Sequence, residues 1–262
     1  MNNIIFKYDG WALITGASSG IGKEFAKKLA EFGINLIITA RRKDRLEELA
    51  KELSVKYKVE VVSIATDLSK DNFMEIIKNE VGNKEIGILI NNAGYGSTGE
   101  FKDADSKHEI EMVRTNCLAP TILTHHFLPQ MIQRKKGAII FVGSVVGYMP
   151  VPFMATYSAT KVFNIFLGEA LSWELKKHNI DVLAINPGGT DTEFQRIAKA
   201  SSGPRPRTPV QVVDTALKAL GKKPSVIDGG MNKLLTIFVR LLPRKMMLNI
   251  VGIVATKYFH AK

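Results

Sequence analysis

The sequence predicts a doubly wound α/β fold: one parallel sheet of about seven strands with helices on both faces. Three observations carry that prediction. Short apolar runs alternate strictly with segments of helical periodicity from residue 10 to residue 227. The runs are apolar throughout rather than alternately polar, as in a parallel sheet buried on both sides. The polar motifs fall just after the runs, at the strand ends where open α/β sheets hold their ligands.

Each element has its own justification. Gly10 to Thr15 is a short run of strand formers. Ile21, Phe25, Ala26, Leu29 and Phe32 recur at helical spacing, and Gly33 stops that helix. Residues 34–39 are the second strand, and 42–57 a charged helix with Leu46, Leu49 and Leu53 on one side. A third strand over 59–65 precedes a helix over 70–81, and a fourth strand over 86–90 runs into Asn91, Asn92, Ala93 and Gly94. Residues 105–134 are helical, with a kink or break expected at Pro129. A fifth strand over 138–142 leads to a helix over 155–178, and a sixth over 180–185 ends at Asn186 and Pro187. Residues 189–208 read as a polar loop, 209–221 as a helix and 225–227 as a short seventh strand. No repeat and no linker divides the body. The expected organisation is a nucleotide-binding catalytic domain over 1–230 and a basic, apolar helical extension over 231–262.

Composition limits the partners. With 262 residues, 45% of them hydrophobic, the chain can build one large core or at most two small ones. A net charge of +11 raises nucleic acid, an anionic membrane or an anionic ligand as partners. The lysines are scattered over helices, and neither zinc-finger spacing nor an RNA-binding aromatic signature accompanies them. No nucleic-acid partner and no metal site are therefore expected. Cys117 is the lone cysteine, which suits a reducing compartment. The first ten residues lack an apolar signal core. A cytoplasmic protein is expected, with membrane association left open by its C-terminal segment.

That segment, 231–262, carries Lys233, Arg240, Arg244, Lys245, Lys257 and Lys262 and no acid. Its apolar runs are too short to span a bilayer. An interfacial helix meeting anionic lipid, packing on the fold and packing on a second subunit are the alternatives.

The chemistry concentrates in two places. Gly16, Gly20 and Gly22 follow the first strand and open the first helix. Glycines there permit a tight turn, and the helix start offers free N–H groups to a phosphate, with Ser18, Ser19 and Ile21 in the same turn. Tyr157 and Lys161 stand four residues apart, one above the other on a helix. A cation beside a phenol favours the phenolate and brings its pKa toward the working range. Ser144 ends the fifth strand and adds a hydroxyl. Nucleotide site, hydroxyl, phenol and ammonium together suggest hydride chemistry on a carbonyl. After the second strand come Arg41 and Arg42, with no acid before Asp44. Guanidinium pairs with a 2′-phosphate where an acid would take a ribose hydroxyl. NADP(H) is therefore expected over NAD(H), with Arg41 favoured and Arg42 second.

Thr15 to Gly22, Asp67-Leu68, Asn91 to Gly94, Asn116, Ser144, Tyr157 with Lys161, and Pro187-Gly188 match in order and spacing. Residues 10–190 as a set resemble the short-chain dehydrogenase/reductase family in its compact, single-domain branch. Gly143 departs from it, standing where many members have a second serine, and Gly189 follows Pro187-Gly188. The resemblance implies that Tyr157 exchanges a proton with the substrate oxygen and that Ser144 orients that oxygen. Lys161 would lower the Tyr157 pKa and bind the nicotinamide ribose. Asn116 would hold a water linking Lys161 to solvent. Asp67 and Leu68 would flank the adenine, Asn92, Ala93 and Gly94 the adenine ribose. Thr190 and Thr192, after Pro187 and Gly188, would reach the carboxamide or diphosphate. It also implies a homodimer or homotetramer through helices that include the Tyr157 helix.

The substrate side is apolar. Tyr148 to Met154 lies between Ser144 and Tyr157, and Met149, Tyr95 and Phe194 are its named candidates. Such a wall favours an apolar ketone or aldehyde, such as a 3-oxoacyl, steroid-like or aromatic one. Residues 189–203 are expected to form a lid. A non-catalytic nucleotide sensor on the same fold is the rival, although such proteins commonly lose the tyrosine or the lysine.

Overall fold

The computed structural model describes residues 7–194, 198 and 206–259. Among them are strands β1 (Trp11–Thr15), β2 (Leu36–Ala40), β3 (Val61–Ala65), β4 (Ile86–Asn91), β5 (Gly137–Val142), β6 (Ile180–Asn186) and β7 (Ser225–Ile227). They form one sheet in the order β3-β2-β1-β4-β5-β6-β7. Every pairing is parallel; in β1, Ala12 stands beside Leu36 of β2 and Ile88 of β4. The central strands β4 and β5 are buried at every residue, and the edge strand β3 is mostly half-buried. Continuous apolar sequence in the middle of the sheet follows from helices covering both sides.

On one face lie α1 (Gly20–Glu31), α2 (Lys43–Tyr57) and α7 (Pro209–Ala219). They bury Phe25, Leu29, Leu46, Leu53 and Val212 against Ile14, Ile38 and Ile90. On the other lie α3 (Phe73–Val81), α5 (Ala119–Arg134) and α6 (Ala155–Glu174). There Phe73, Ile77, Leu123, Phe127 and Met131 pack on Leu13, Leu89 and Phe141. Truncating a fully buried side chain such as Phe127 to alanine is expected to cost about 3–5 kcal/mol. The chain leaves β1 toward β2 on one side and reaches β4 on the other. That reversal opens a crevice beyond the carboxyl ends of β1 and β4, which is the ligand position of such sheets.

The region 105–134 differs from expectation. It contains α4 (Ser106–Val113), a π-helical turn (Arg114–Leu118) and α5. Pro129 lies inside α5, and the helix continues through it. A proline forfeits one N–H bond; here Leu123, Phe127 and Met131 anchor the helix on both sides of that loss. Pro120 sits in the first helical turn, where its missing N–H is not needed. The irregularity falls instead at the π turn, which carries Asn116. The helix expected over 155–178 ends at Glu174 and is followed by a 3₁₀ turn (Lys176–His178). Residues 195–197 and 199–203 of the expected lid lie outside the described residues.

The C-terminal segment forms α8 (Gly230–Leu241) and α9 (Arg244–Phe259). The Asn232 side chain donates to the Asp228 carbonyl at 2.8 Å, fixing α8 to the end of β7. Met247 and Ala255 are buried beneath α9. The outer side leaves Leu234, Phe238, Leu241 and Ile253 exposed. Among the described residues no helix is long and apolar enough to cross a membrane.

Candidate active site

Tyr157 and Lys161 occupy the inward face of α6 and are 6% and 5% exposed. The Lys161 Nζ donates to the Val142 carbonyl at the end of β5, at 2.8 Å. It lies 5.7 Å from the centre of the Tyr157 ring. Ser144 follows β5 directly, where Val145 N donates to the Pro187 carbonyl (2.9 Å) and ties the turn to the end of β6. The Ser144 hydroxyl donates to the same carbonyl at 3.3 Å and lies on the Tyr157 side of the turn.

Burial governs both titrations. It pushes the Tyr157 phenol well above its usual value of 10, with the neighbouring Ser144 hydroxyl acting the other way. It pushes the Lys161 ammonium down to about 8. Lys161 is expected to lower the phenol's pKa; in the chain by itself desolvation is the largest influence and raises it. Tyr157 therefore holds its proton at neutral pH.

Asn116 sits in the π turn beneath this pair. Its Nδ2 donates to the Tyr95 carbonyl (2.9 Å) and to Thr160 Oγ1 (3.0 Å), and its Oδ1 accepts from Tyr95 N (3.2 Å). Asn164 Nδ2 donates to the Asn116 carbonyl at 2.9 Å. The carboxamide nitrogen is thus committed to protein groups, and a water would use the second lone pair of Oδ1 or of that main-chain carbonyl. Gly94 lies between Asn116 and Lys161: a Cβ there would stand 3.0 Å from Asn116 Oδ1 and 3.6 Å from Lys161 Nζ.

The turn from β1 into α1 makes the second half of the site. Thr15 Oγ1 accepts from the N–H groups of Asn92 (3.0 Å) and Ala93 (2.9 Å), and Asn92 Nδ2 donates to Thr15 O at 2.8 Å. Asn92 and Ala93 therefore lock β4 to the glycine turn. Gly16 and Gly20 have positive φ, and Ser19 begins α1 with no side-chain cap on its free N–H groups. These are the donors a diphosphate requires, so the residues present fit a dinucleotide. Ile21 packs against the core beneath the turn. Thr192 stands above it, 3.0 Å from where a Cβ at Gly20 would project. Thr190 Oγ1 donates to the Gly188 carbonyl at 3.1 Å. Leu68 is buried, and the Asp67 carboxylate accepts from Ser69 N (3.0 Å) and Ser69 Oγ (2.9 Å), shaping the turn after β3.

The two arginines part company. Arg42 Nη2 donates to Ser18 Oγ and Ser19 Oγ, each at 2.9 Å, so its guanidinium is held against the glycine turn. Arg41 lies over the Tyr95 ring, 5.9 Å from its centre. The structure thus sets Arg42 against the glycine turn and Arg41 over Tyr95. It also brings in two residues the sequence reading missed. Glu193 accepts from Arg42 Nη1 at 2.7 Å and from Arg45 Nη1 at 2.8 Å. Arg45 had a signal, lying one helical turn beyond Arg42; Glu193 had none, being 151 residues away from Arg42.

Around Tyr157 the walls are apolar. Met112 and Met154 are buried against it, and Tyr95, Val146, Val151 and Phe194 pack on them. The Phe194 ring is 5.3 Å from that of Tyr157. Tyr95 and Phe194 are therefore at the site. Met149 is not among these packed residues, and the Tyr148 hydroxyl turns away to accept from Asn186 Nδ2 at 3.0 Å.

Comparison with known proteins agrees with this geometry. A family model described as short chain dehydrogenase matches residues 10–202. The chain is similar to the very-long-chain 3-oxoacyl-CoA reductase of Homo sapiens, 35% identical over 216 residues that span 80% of this chain and 68% of that one. Its fold is similar to a structure described for 7β-hydroxysteroid dehydrogenase stereoselectivity, with TM-score 0.88, 28% identity and coverage of 95% of this chain and 98% of that chain. It is also similar to a short-chain dehydrogenase from Sphingobium yanoikuyae in complex with NADPH, with TM-score 0.78, 34% identity and coverage of 84% and 87%. The family match runs unbroken from β1 past β6 and so takes in the glycine turn, Ser144, Tyr157 and Lys161. The chain belongs to the short-chain dehydrogenase/reductase family, oxidoreductases that act on carbonyl and alcohol groups with a nicotinamide cofactor.

Proposed function

We propose that this chain reduces an apolar ketone with NADPH, or oxidises the matching secondary alcohol, using Ser144, Tyr157, Lys161 and Asn116. One observation carries the reading: the Tyr157 phenol, with the Lys161 ammonium 5.7 Å from its ring, is buried among Met112, Met154, Val151 and Phe194. The nicotinamide supplies or accepts the hydride when bound. Tyr157 Oη gives its proton to the carbonyl oxygen in reduction, while Ser144 Oγ hydrogen-bonds that oxygen and holds it in place. The Lys161 ammonium offsets the charge left on the tyrosinate. Asn116 would hold a water on its main-chain carbonyl that links Lys161 to solvent and so returns the proton, while its carboxamide fixes Tyr95. The apolar surround excludes water and favours a bulky, apolar substrate. The 3-oxoacyl class stands first, because the human relative is named for it, and a steroid-like ketone second.

NADP(H) preference is supported by Arg42, whose guanidinium the glycine-turn serines hold beside the turn that would take the diphosphate. Outward-facing Phe163, Phe166 and Trp173 on α6, the last 82% exposed, support a homodimer or homotetramer. The exposed apolar side of α8 and α9, flanked only by cations, supports peripheral contact with anionic lipid.

The test is NADPH and NADH oxidation by the purified chain across small, aromatic, steroid and 3-oxoacyl ketones. NADPH-selective turnover on a bulky ketone is expected. Binding of NADPH with no turnover on any of them would favour a nucleotide sensor. No cofactor binding would overturn the reading.

A further inference from the structure

Glu193 belongs to the loop after β6, the same loop that sets Thr192 over Gly20. Its two partners come from the other half of the sheet. Arg42 caps the start of α2 and Arg45 lies in its first turn. The ion pairs therefore strap the loop after β6 to the end of β2, across the crevice where the nucleotide is read. Arg42 meanwhile donates to Ser18 and Ser19 of the glycine turn. A carboxylate is thus already seated between two guanidinium groups, one of them held by two serine hydroxyls, and guanidinium pairs suit a phosphate monoester.

We infer that Glu193 is an internal anion occupying the Arg42–Arg45 seat, which the 2′-phosphate of the nucleotide must displace, releasing the loop after β6 as it binds. The inference rests on the NADP(H) reading above. Charge makes the exchange favourable. Two guanidinium groups against one carboxylate leave the seat net positive, and a phosphate monoester brings nearly two negative charges where Glu193 brings one. Exposure makes it accessible: the side chains of Arg42, Arg45 and Glu193 are 36%, 41% and 30% exposed, so no buried charge is stranded. The two arginines hold the carboxyl at about 2, with Arg45 the larger influence. It stays an anion throughout the working pH range. A ligand lacking the 2′-phosphate has nothing to exchange for Glu193 and leaves the strap closed. Glu193 would then act in cofactor choice as a competitor that only the phosphorylated nucleotide overcomes.

The test is calorimetric titration of the full chain with 2′,5′-ADP and with 5′-ADP, for the wild type and Glu193→Gln. Exposed ion pairs are individually weak, so removing both should tighten 2′,5′-ADP by roughly three- to tenfold and leave 5′-ADP unchanged. Unchanged or weaker 2′,5′-ADP binding in the variant would overturn the inference, since it would make Glu193 a clamp rather than a competitor. A second measurement needs only the wild type. Amide exchange over residues 191–194 should speed up with 2′,5′-ADP and not with 5′-ADP; slowing with 2′,5′-ADP would overturn the inference equally. If the wild type binds the two ligands alike, the NADP(H) reading falls and the inference falls with it. If the wild type discriminates and Glu193→Gln does not tighten, only the inference falls.

Discussion

The Lys161 ammonium lies 5.7 Å from the centre of the Tyr157 ring, with 5% of the lysine exposed. Its descent from 10.5 to about 8 corresponds to about 3 kcal/mol of desolvation, which the bond to the Val142 carbonyl only offsets. A lysine whose folded pKa is depressed destabilises the fold fully below about 8, where both states are protonated. The penalty fades as pH rises toward 10.5, where the unfolded lysine also loses its proton. Lys161→Met should therefore lose turnover and keep a melting temperature at or above the wild type at pH 7. Its advantage should shrink between pH 8 and 10.5. A gap that stays constant or widens over that range would show that the ammonium carries no such penalty.

Tyr157 tests the chemistry itself. Its phenol is buried, and the ring packs against Phe194. Tyr157→Phe keeps the ring and removes the proton. It should still bind NADPH and lose roughly 10²- to 10⁴-fold in turnover. Single-turnover and binding measurements on one preparation separate the two effects. Near-normal turnover would exclude Tyr157 as the proton donor.

Gly143 departs from the family's second serine for a packing reason. A Cβ at 143 would stand 2.1 Å from Asn186 Oδ1 and 3.0 Å from Ile165 Cγ1. Asn186 cannot easily give way, because its Nδ2 reaches Tyr148 Oη (3.0 Å) and Ser225 Oγ (2.9 Å). Gly143→Ser should cost about 1–3 kcal/mol in chemical denaturation. A neutral substitution would mean that the β5 and β6 ends are not packed as tightly as described.

Arg42 and Arg41 make a paired experiment on cofactor choice. Arg42 is held by Ser18 and Ser19; Arg41 stacks over Tyr95. Arg42→Gln should weaken 2′,5′-ADP by about 10- to 100-fold, the worth of a charge-assisted pair, with little change for 5′-ADP. Arg41→Gln should weaken both ligands by less than about fivefold. A larger effect at Arg41 would restore the order its sequence position suggested.

The expectations that succeeded were those carried by short-range pattern. Ile86–Asn91 and Gly137–Val142 are apolar at nearly every position because both faces are covered, and that alone marks them as central parallel strands. Tyr157 and Lys161 share a helix face by their spacing. What escaped depends on direction and distance. Arg41 and Arg42 are adjacent, so the helix start decides which one faces the glycine turn: α2 begins at Lys43 and leaves Arg42 as its cap. Glu193 meets Arg42 only because β6 and β2 end on the same side of the sheet. Pro129 misled because its helix is held by packing, and packing is not visible in a local rule.

The C-terminal helices admit a direct physical test. Leu234, Phe238 and Leu241 on α8 are 65%, 59% and 78% exposed, and Ile253 on α9 is 61% exposed. Lys233, Arg240, Arg244, Lys245 and Lys257 lie along the same helices with no acid among them. Gly252 of α9 lies beside Pro152, in the loop that also supplies Val151 and Met154 to the apolar cluster around Tyr157. Lipid bound there would meet the protein near the substrate walls. Each cation near an anionic surface contributes about 1 kcal/mol, and the apolar side adds burial in the interface. The chain should therefore sediment with phosphatidylserine vesicles, less with phosphatidylcholine, and less again at high salt. Leu234→Glu with Phe238→Glu should abolish sedimentation while NADPH binding persists. Failure of the wild type to sediment at low salt would remove the membrane reading. If the double variant instead lowers the assembly state in sedimentation velocity without lipid, this face is a contact between subunits.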